Sequence, residues 1–231
     1  MWCDTLQPGY GWSSLWCGYV RCRCGGLRMI TASCPACASP PPSSVLVRVD
    51  IEKGVFQEVP DAFAGAEGRY EDYVYLQLME REWKRPGFAE KSMQAPSIGG
   101  KTMSDRASIV LLFWTYFESR IGRLVDLGLV GVPSRVRDDI LGRYAAVGAR
   151  MDRLYKLLFD TTYHEDLNAV GASNVATVLS EIQRRRNEFV HGNPVAITDD
   201  LVGLVVRSLK DEHEAWLAVF NRRVSLSTRQ A

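Results

Sequence analysis

Ser104-Asp105-Arg106-Ala107-Ser108-Ile109-Val110-Leu111-Leu112-Phe113-Trp114-Thr115-Tyr116-Phe117-Glu118-Ser119-Arg120-Ile121-Gly122-Arg123-Leu124-Val125 is the stretch that decides the fold. Its middle is apolar nearly all the way round a helical wheel, and such a helix is packed on every side rather than laid on a surface. Ser104 or Asp105 is placed to cap it. Charge returns too soon after the run for it to cross a bilayer. A buried helix needs amphipathic neighbours, and the following chain supplies them. Pro133-Ser134 announces a helix carrying Val136, Ile140, Leu141 and Tyr144. Arg150 to Phe159 repeats the pattern with Met151, Leu154, Tyr155, Leu157 and Leu158. Tyr163 to Leu167 is short and polar, a turn of helix or a loop, and His164 within it reads as a loop or capping residue. A further helix begins near Ser173-Asn174. After Pro194, the positions Leu201, Leu204, Val205, Leu209, His213, Trp216, Leu217 and Phe220 make a long closing helix. His213 lies among Asp211, Glu212 and Glu214, and is expected on a solvated face. The expectation is a mainly α protein whose residues 104–231 form an antiparallel helical bundle.

The amino-terminal region rests on different physics. All six cysteines fall within the first 37 residues. Cys22-Arg23-Cys24 and Cys34-Pro35-Ala36-Cys37 are two close pairs, with Gly25-Gly26 after the first. A tetrahedral zinc ion takes four thiolates, and two cysteine pairs on tight turns supply them. With no secretory signal visible, disulfides are the weaker explanation. C-x-C departs from the commoner C-x-x-C, which leaves Cys3 or Cys17 as a substitute ligand. Four thiolates leave no open position for water, so the expected zinc is structural, and its loss is expected to unfold this module and spare the helices. After Pro40-Pro41-Pro42, the alternation Val45, Val47, Val49, Ile51, a turn at Glu52-Lys53-Gly54, and then Val55, Phe56 and Val59 predict a β-hairpin. Gly65 to Gly68 form a linker, Tyr70 to Trp83 an amphipathic helix, and Arg85 to Lys101 a connection rich in turn residues. The expected division is a zinc-ribbon-like module with its hairpin over 1–62, a helix and linker over 63–103, and the helical domain over 104–231. Met1–Val20 holds three tryptophans but no period.

Chemistry is concentrated in Arg184-Arg185-Arg186-Asn187-Glu188-Phe189-Val190-His191-Gly192, at the end of a helical pattern. It brings together a fixed cation and a side chain of the type that exchanges protons near neutrality. Those are the two parts needed to cleave RNA without a metal: a base for the 2′-OH proton, and forked donors for the phosphate oxygens as charge builds. Residues four apart share a helix face, so Asn187 and His191 align, while Arg186, five before His191, is turned away by roughly 140°. One copy therefore converges poorly on a phosphate, whereas two copies about a two-fold axis can share a cleft. Gly192 suits the left-handed residue that ends a helix, and Pro194 stops it resuming. The plainer alternative is a last-turn histidine favoured by the helix dipole beside solvated arginines.

The run Arg186-Asn187-x-x-x-His191-Gly192 resembles the signature of the HEPN superfamily: an arginine, four to six residues and a histidine, often with a polar residue directly after the arginine. Arg184 and Arg185 also satisfy the spacing; Asn187 favours Arg186. The resemblance implies an all-α bundle that dimerises through its motif helices. It also implies either a metal-independent endoribonuclease, as in toxin–antitoxin and antiviral systems, or a non-catalytic module for dimerisation or for nucleotide or protein binding. On the catalytic reading His191 is the base, Arg186 stabilises the transition state, and Asn187 holds that geometry. Glu118, directly after the apolar run, orients the arginine, unless it is simply an exposed carboxylate.

A net charge of +1 provides no global field for RNA. Contact with nucleic acid would rest on local patches, Arg184 to Arg186 first and then Arg21, Arg23 and Arg28. The chain shows no repeats, no glycine-rich phosphate loop and no membrane segment. The expected setting is the cytoplasm, with a homodimer, an RNA substrate and an antitoxin or defence partner.

Overall fold

The computed structural model describes residues 19–22, 24–29, 33–39, 49–50, 55–56, 70–85 and 97–230. Most of them are helical. Helix α1 (Tyr70–Lys84) lies along α2 (Ala107–Gly128), and α3 (Ser134–Arg143) follows a short turn. A helical rod comes next: α4 (Val147–Ala149), a π-helical turn (Arg150–Leu154) and α5 (Tyr155–Phe159). Then come α6 (Tyr163–Ala169), α7 (Ser173–Val190), a 3-10 turn (Pro194–Ala196) and α8 (Asp199–Gln230), which packs on α2, α6 and α7. Three two-stranded antiparallel ribbons precede α2. β1 (Tyr19–Arg21) pairs with β2 (Leu27–Met29), β3 (Val49–Asp50) with β4 (Val55–Phe56), and β5 (Ser97–Ile98) with β6 (Lys101–Thr102). The β3–β4 pair joins Val49 to Phe56, within the expected hairpin. Residues 1–18, with Cys3 and Cys17, and the 65–68 linker lie outside the described residues.

Helix α2 runs through the hydrophobic core. Ile109, Val110, Phe113, Trp114, Tyr116, Phe117, Ile121, Leu124 and Val125 are buried, as the unbroken apolar run requires. Its start differs from the sequence expectation. Arg106 is the cap residue and no side chain caps the helix. Ser104 turns instead to α8, donating its hydroxyl to Asp199 Oδ1 at 2.6 Å while accepting from the Arg106 amide. The aromatic core continues from Phe117 to Tyr163 of α6 and from Tyr163 to Tyr155 of α5, with ring centroids 5.9 Å apart in both pairs. The Tyr163–Ala169 segment is a full short helix, fixed by a reciprocal capping box between Thr162 and Glu165.

Among the described residues, two buried ion pairs cross the core, and both involve α8. Arg120 of α2 is 0 % exposed and donates to Glu212 at 2.5 Å, to the Tyr116 hydroxyl at 2.8 Å and to the His213 carbonyl at 3.3 Å. Its guanidinium lies 4.5 Å from the Trp216 ring centroid and 4.9 Å from that of Tyr116. Asp166 of α6 accepts a two-pronged contact from Arg223 and a hydrogen bond from the Tyr155 hydroxyl. These pairs correct the expectation for the closing helix. His213 is 2 % exposed and Glu212 1 %, not solvated. Leu209, Glu212, His213, Trp216 and Phe220 recur at three- and four-residue steps, so they share the face turned to α2. A carboxylate on that face needs a buried cation, and Arg120 is that cation.

Candidate functional site

Helix α7 presents the Arg-x4-His motif at its carboxyl end. Val175, Ala176, Leu179 and Ile182 anchor the helix in the core. Phe189 packs at the core's edge, and His191 is the exposed cap residue. The ending is a Schellman motif: the Gly192 amide donates to the Phe189 carbonyl at 3.1 Å and the Asn193 amide to the Glu188 carbonyl at 3.0 Å. Gly192 adopts φ +98°, which a side chain would resist, as the sequence led one to expect. The His191 amide closes the last regular turn on the Asn187 carbonyl, one turn before it. These bonds fix the backbone at His191, whose side chain is exposed at the end of α7.

The three arginines are not equivalent. Arg184 donates to Glu181 at 2.7 Å and to Glu188 at 2.5 Å. Arg185 reaches Glu181 at 3.0 Å and Glu188 at 3.7 Å. The Arg184 guanidinium, then Arg185, holds the Glu181 carboxyl below its usual range. Arg186 has no carboxylate partner among the described residues. It donates to the Asn187 side-chain oxygen at 3.2 Å, and its buried Nε has no acceptor. Of the three candidate cations, two are paired with carboxylates on the helix surface, and Arg186 is not paired with one among the described residues. The spacing of Glu181 to Arg185 and of Arg184 to Glu188 was legible as four-residue pairing. Glu118 is half-buried and makes no hydrogen bond or ion pair with any described residue, the motif arginines included. His164 lies at the start of α6, two residues after the cap.

The second candidate centre is the cysteine cluster. Cys22 and Cys24 occupy the turn of the β1–β2 ribbon, and Cys34 and Cys37 the tight turn over 34–37. The Cys22 amide donates to the Gly26 carbonyl and the Ala38 amide to the Cys34 carbonyl, both at 2.8 Å, so each pair sits on a closed loop. The four sulfurs lie within 4.8 Å of one another, with Cys22–Cys37 at 3.6 Å and Cys24–Cys34 at 3.7 Å. All four are free thiols. The Gly26 amide points at Cys24 Sγ, 3.4 Å away, an arrangement that favours a thiolate. Burial pushes the Cys24 thiol up to about 12, while hydrogen bonding from Ser39 pulls exposed Cys37 down to about 6. The opposed proton affinities of Cys24 and Cys37 are what a divalent soft cation reconciles, because it favours the thiolate at each sulfur it binds. These four cysteines are able to hold a metal ion, for which four thiolates would complete a tetrahedral shell.

No described helix is long and apolar enough to cross a membrane. Comparison with protein-family models, with curated proteins and with solved structures finds no match to this chain.

Proposed function

We propose that this chain is a metal-independent endoribonuclease of HEPN type, working as a homodimer in which two α7 helices each lend Arg186 and His191 to a shared cleft. The observation that carries the reading is the contrast along α7: Arg184 and Arg185 are tied to Glu181 and Glu188, and Arg186 alone is left beside Asn187, one turn before an exposed histidine. His191 takes the 2′-OH proton, and the freed oxygen attacks the adjacent phosphorus. The P–O5′ bond breaks, leaving a 2′,3′-cyclic phosphate and a 5′-hydroxyl that takes up a proton. Arg186 donates to the non-bridging oxygens as their charge rises. Asn187 restricts the arginine. Glu118 has no pairing that supports its expected orienting role, and the reading does not use it. A toxin or antiviral setting, with a partner that restrains the enzyme, follows from the resemblance alone. The cysteine cluster takes one structural zinc.

A second reading, a non-catalytic module for dimerisation or for nucleotide or protein binding, is favoured by the net charge of +1 and the internal neutralisation of Arg184 and Arg185. One experiment separates the two. Purified protein is incubated with single-stranded RNA in EDTA, beside His191→Ala and Arg186→Ala variants with unchanged circular dichroism. Cutting that yields cyclic phosphate ends and is lost in both variants supports the enzyme. Equal cutting by all three, or none by the wild type, rejects it.

A further inference from the structure

The cysteine loops do not stand apart from the bundle. Gly26 is at the meeting point. A Cβ built there would fall 2.8 Å from Ala36 Cβ, 3.1 Å from Cys34 Sγ and 3.1 Å from Asn221 Oδ1 of α8. One backbone position therefore touches the second cysteine loop and the closing helix at once, and only glycine fits. Beside it, a Cβ on Gly25 would lie 3.9 Å from Val224 Cγ1. Cys24 and Ala36 pack on the edge of the main core. Asn221 and Val224 are 7 % and 2 % exposed, and the cysteine loops are part of what covers them. Arg223, between the two, is the cation that closes on buried Asp166 of α6.

We propose that metal binding at the four cysteines fastens the carboxyl-terminal turns of α8 to the bundle, so that the ion stabilises helix packing around residues 219–225 as well as its own loops. The proposal rests on the metal reading of the cluster. Its physical basis is how the cysteines are carried: on two tight loops, 22–26 and 34–38, each closed by a backbone hydrogen bond across its ends. Loops this short lack a core large enough to hold their shape without a staple. Without the ion the four thiols have no common partner, the loops lose the form that fits α8, and Asn221 and Val224 face water. With the ion, whatever packs on the loaded shape shares its stabilisation, up to a factor of 1 + [metal]/Kd in the local opening equilibrium. The metal and the last helix are then one cooperative unit rather than neighbours.

The test uses the full chain, with zinc at about a hundred times its Kd or with EDTA, where linkage caps the effect at a factor of about 100. Zinc stoichiometry is measured by elemental analysis, and amide hydrogen exchange is followed in residues 219–225 and, for reference, in 109–117 of α2. The expected result is one zinc per chain and exchange in 219–225 slowed at least tenfold by zinc, with 109–117 changed less. A Val224→Ala variant should keep its zinc and lose most of that difference. Bound zinc with unchanged exchange in 219–225 overturns the coupling and leaves the metal reading standing. So does a Val224→Ala variant that retains the full difference. Absence of bound zinc overturns the metal reading, and the coupling with it. If Val224→Ala does not fold, the wild-type comparison decides.

Discussion

Glu212→Ala is the substitution that tests the core most sharply. Arg120 is completely buried, with Glu212 as its counter-ion, and keeps the Tyr116 hydroxyl and the His213 carbonyl as neutral partners. Truncating Glu212 removes the carboxylate that this guanidinium contacts in a site from which water is excluded. Breaking one side of a buried pair costs about 3–5 kcal/mol, because the remaining charge is left uncompensated. The two ring faces at 4.5 and 4.9 Å soften that cost without replacing the carboxylate, since a desolvated cation–π contact contributes about 2 kcal/mol and is already present in the wild type. For a chain of this size each kcal/mol lowers Tm by about 2–4 °C, so a fall of roughly 6–20 °C is expected. Glu212→Gln separates charge from volume: it fills the same space, and its loss should be at least half that of alanine. The double variant Arg120→Met, Glu212→Leu removes both charges and should recover most of the stability, as apolar replacements of buried pairs often do. Urea and thermal melts followed by circular dichroism give all four values. A Glu212→Ala protein within 1 kcal/mol of wild type would show that Arg120 finds solvent, and the account of the core would fall.

Further expectations follow from the motif helix and the cysteines. Arg184→Ala and Arg185→Ala should leave RNA cleavage within about fivefold of wild type, whereas Arg186→Ala should cost about 10²–10³-fold, the usual loss for a transition-state donor; single-turnover rates in EDTA decide which arginine acts. Glu181 has its folded pKa held below the unfolded value, first by Arg184 and then by Arg185. Its contribution is therefore present above the ordinary carboxylate range and lost as pH falls through the lowered folded pKa. Amide protection in the middle of α7 should weaken on acidification, and Glu181→Gln should remove that dependence. If the pH profiles of the two proteins coincide, the ion pairs do not hold the helix. Cys34→Ser should reduce bound zinc to less than a tenth of wild type by elemental analysis, while a disulfide detected by mass spectrometry under reducing conditions would contradict the metal site.

The helices were legible where a single period ran unbroken. Ile109 to Phe117 could not be laid on a surface, and Trp216 and Phe220 marked the face of α8 that meets it. Glu212 and His213 were misplaced because four neighbouring charges look solvated when read locally. Only their three- and four-residue steps to Leu209 and Trp216 put them inside, and their cation lies in another helix. The short α6 was readable after all, since Thr162-x-x-Glu165 has the capping-box spacing. The π-helical turn at Arg150–Leu154 was not legible, because Met151, Leu154, Tyr155 and Leu158 follow the three- and four-residue steps of an ordinary α-helix. At the candidate site, spacing alone left three arginines open, and the carboxylates of Glu181 and Glu188 set two of them apart from the third. The docking of Gly26 on Asn221 links positions about two hundred residues apart, and no local pattern can announce it.

Arg120 and Glu212 are separated by 92 residues, and that separation bears on how the protein is made. During synthesis at roughly 5–20 residues per second, the aromatic helix around Arg120 leaves the ribosome several seconds before its counter-ion. Sealing a guanidinium into an apolar interior before its carboxylate is made is costly, so closure of the core over Phe113, Trp114 and Phe117 is favoured once α8 has been synthesised. A chain stalled before Glu212 would present that aromatic face to chaperones and proteases. The Arg120–Glu212 contact thus ties closure of the aromatic core to the synthesis of α8.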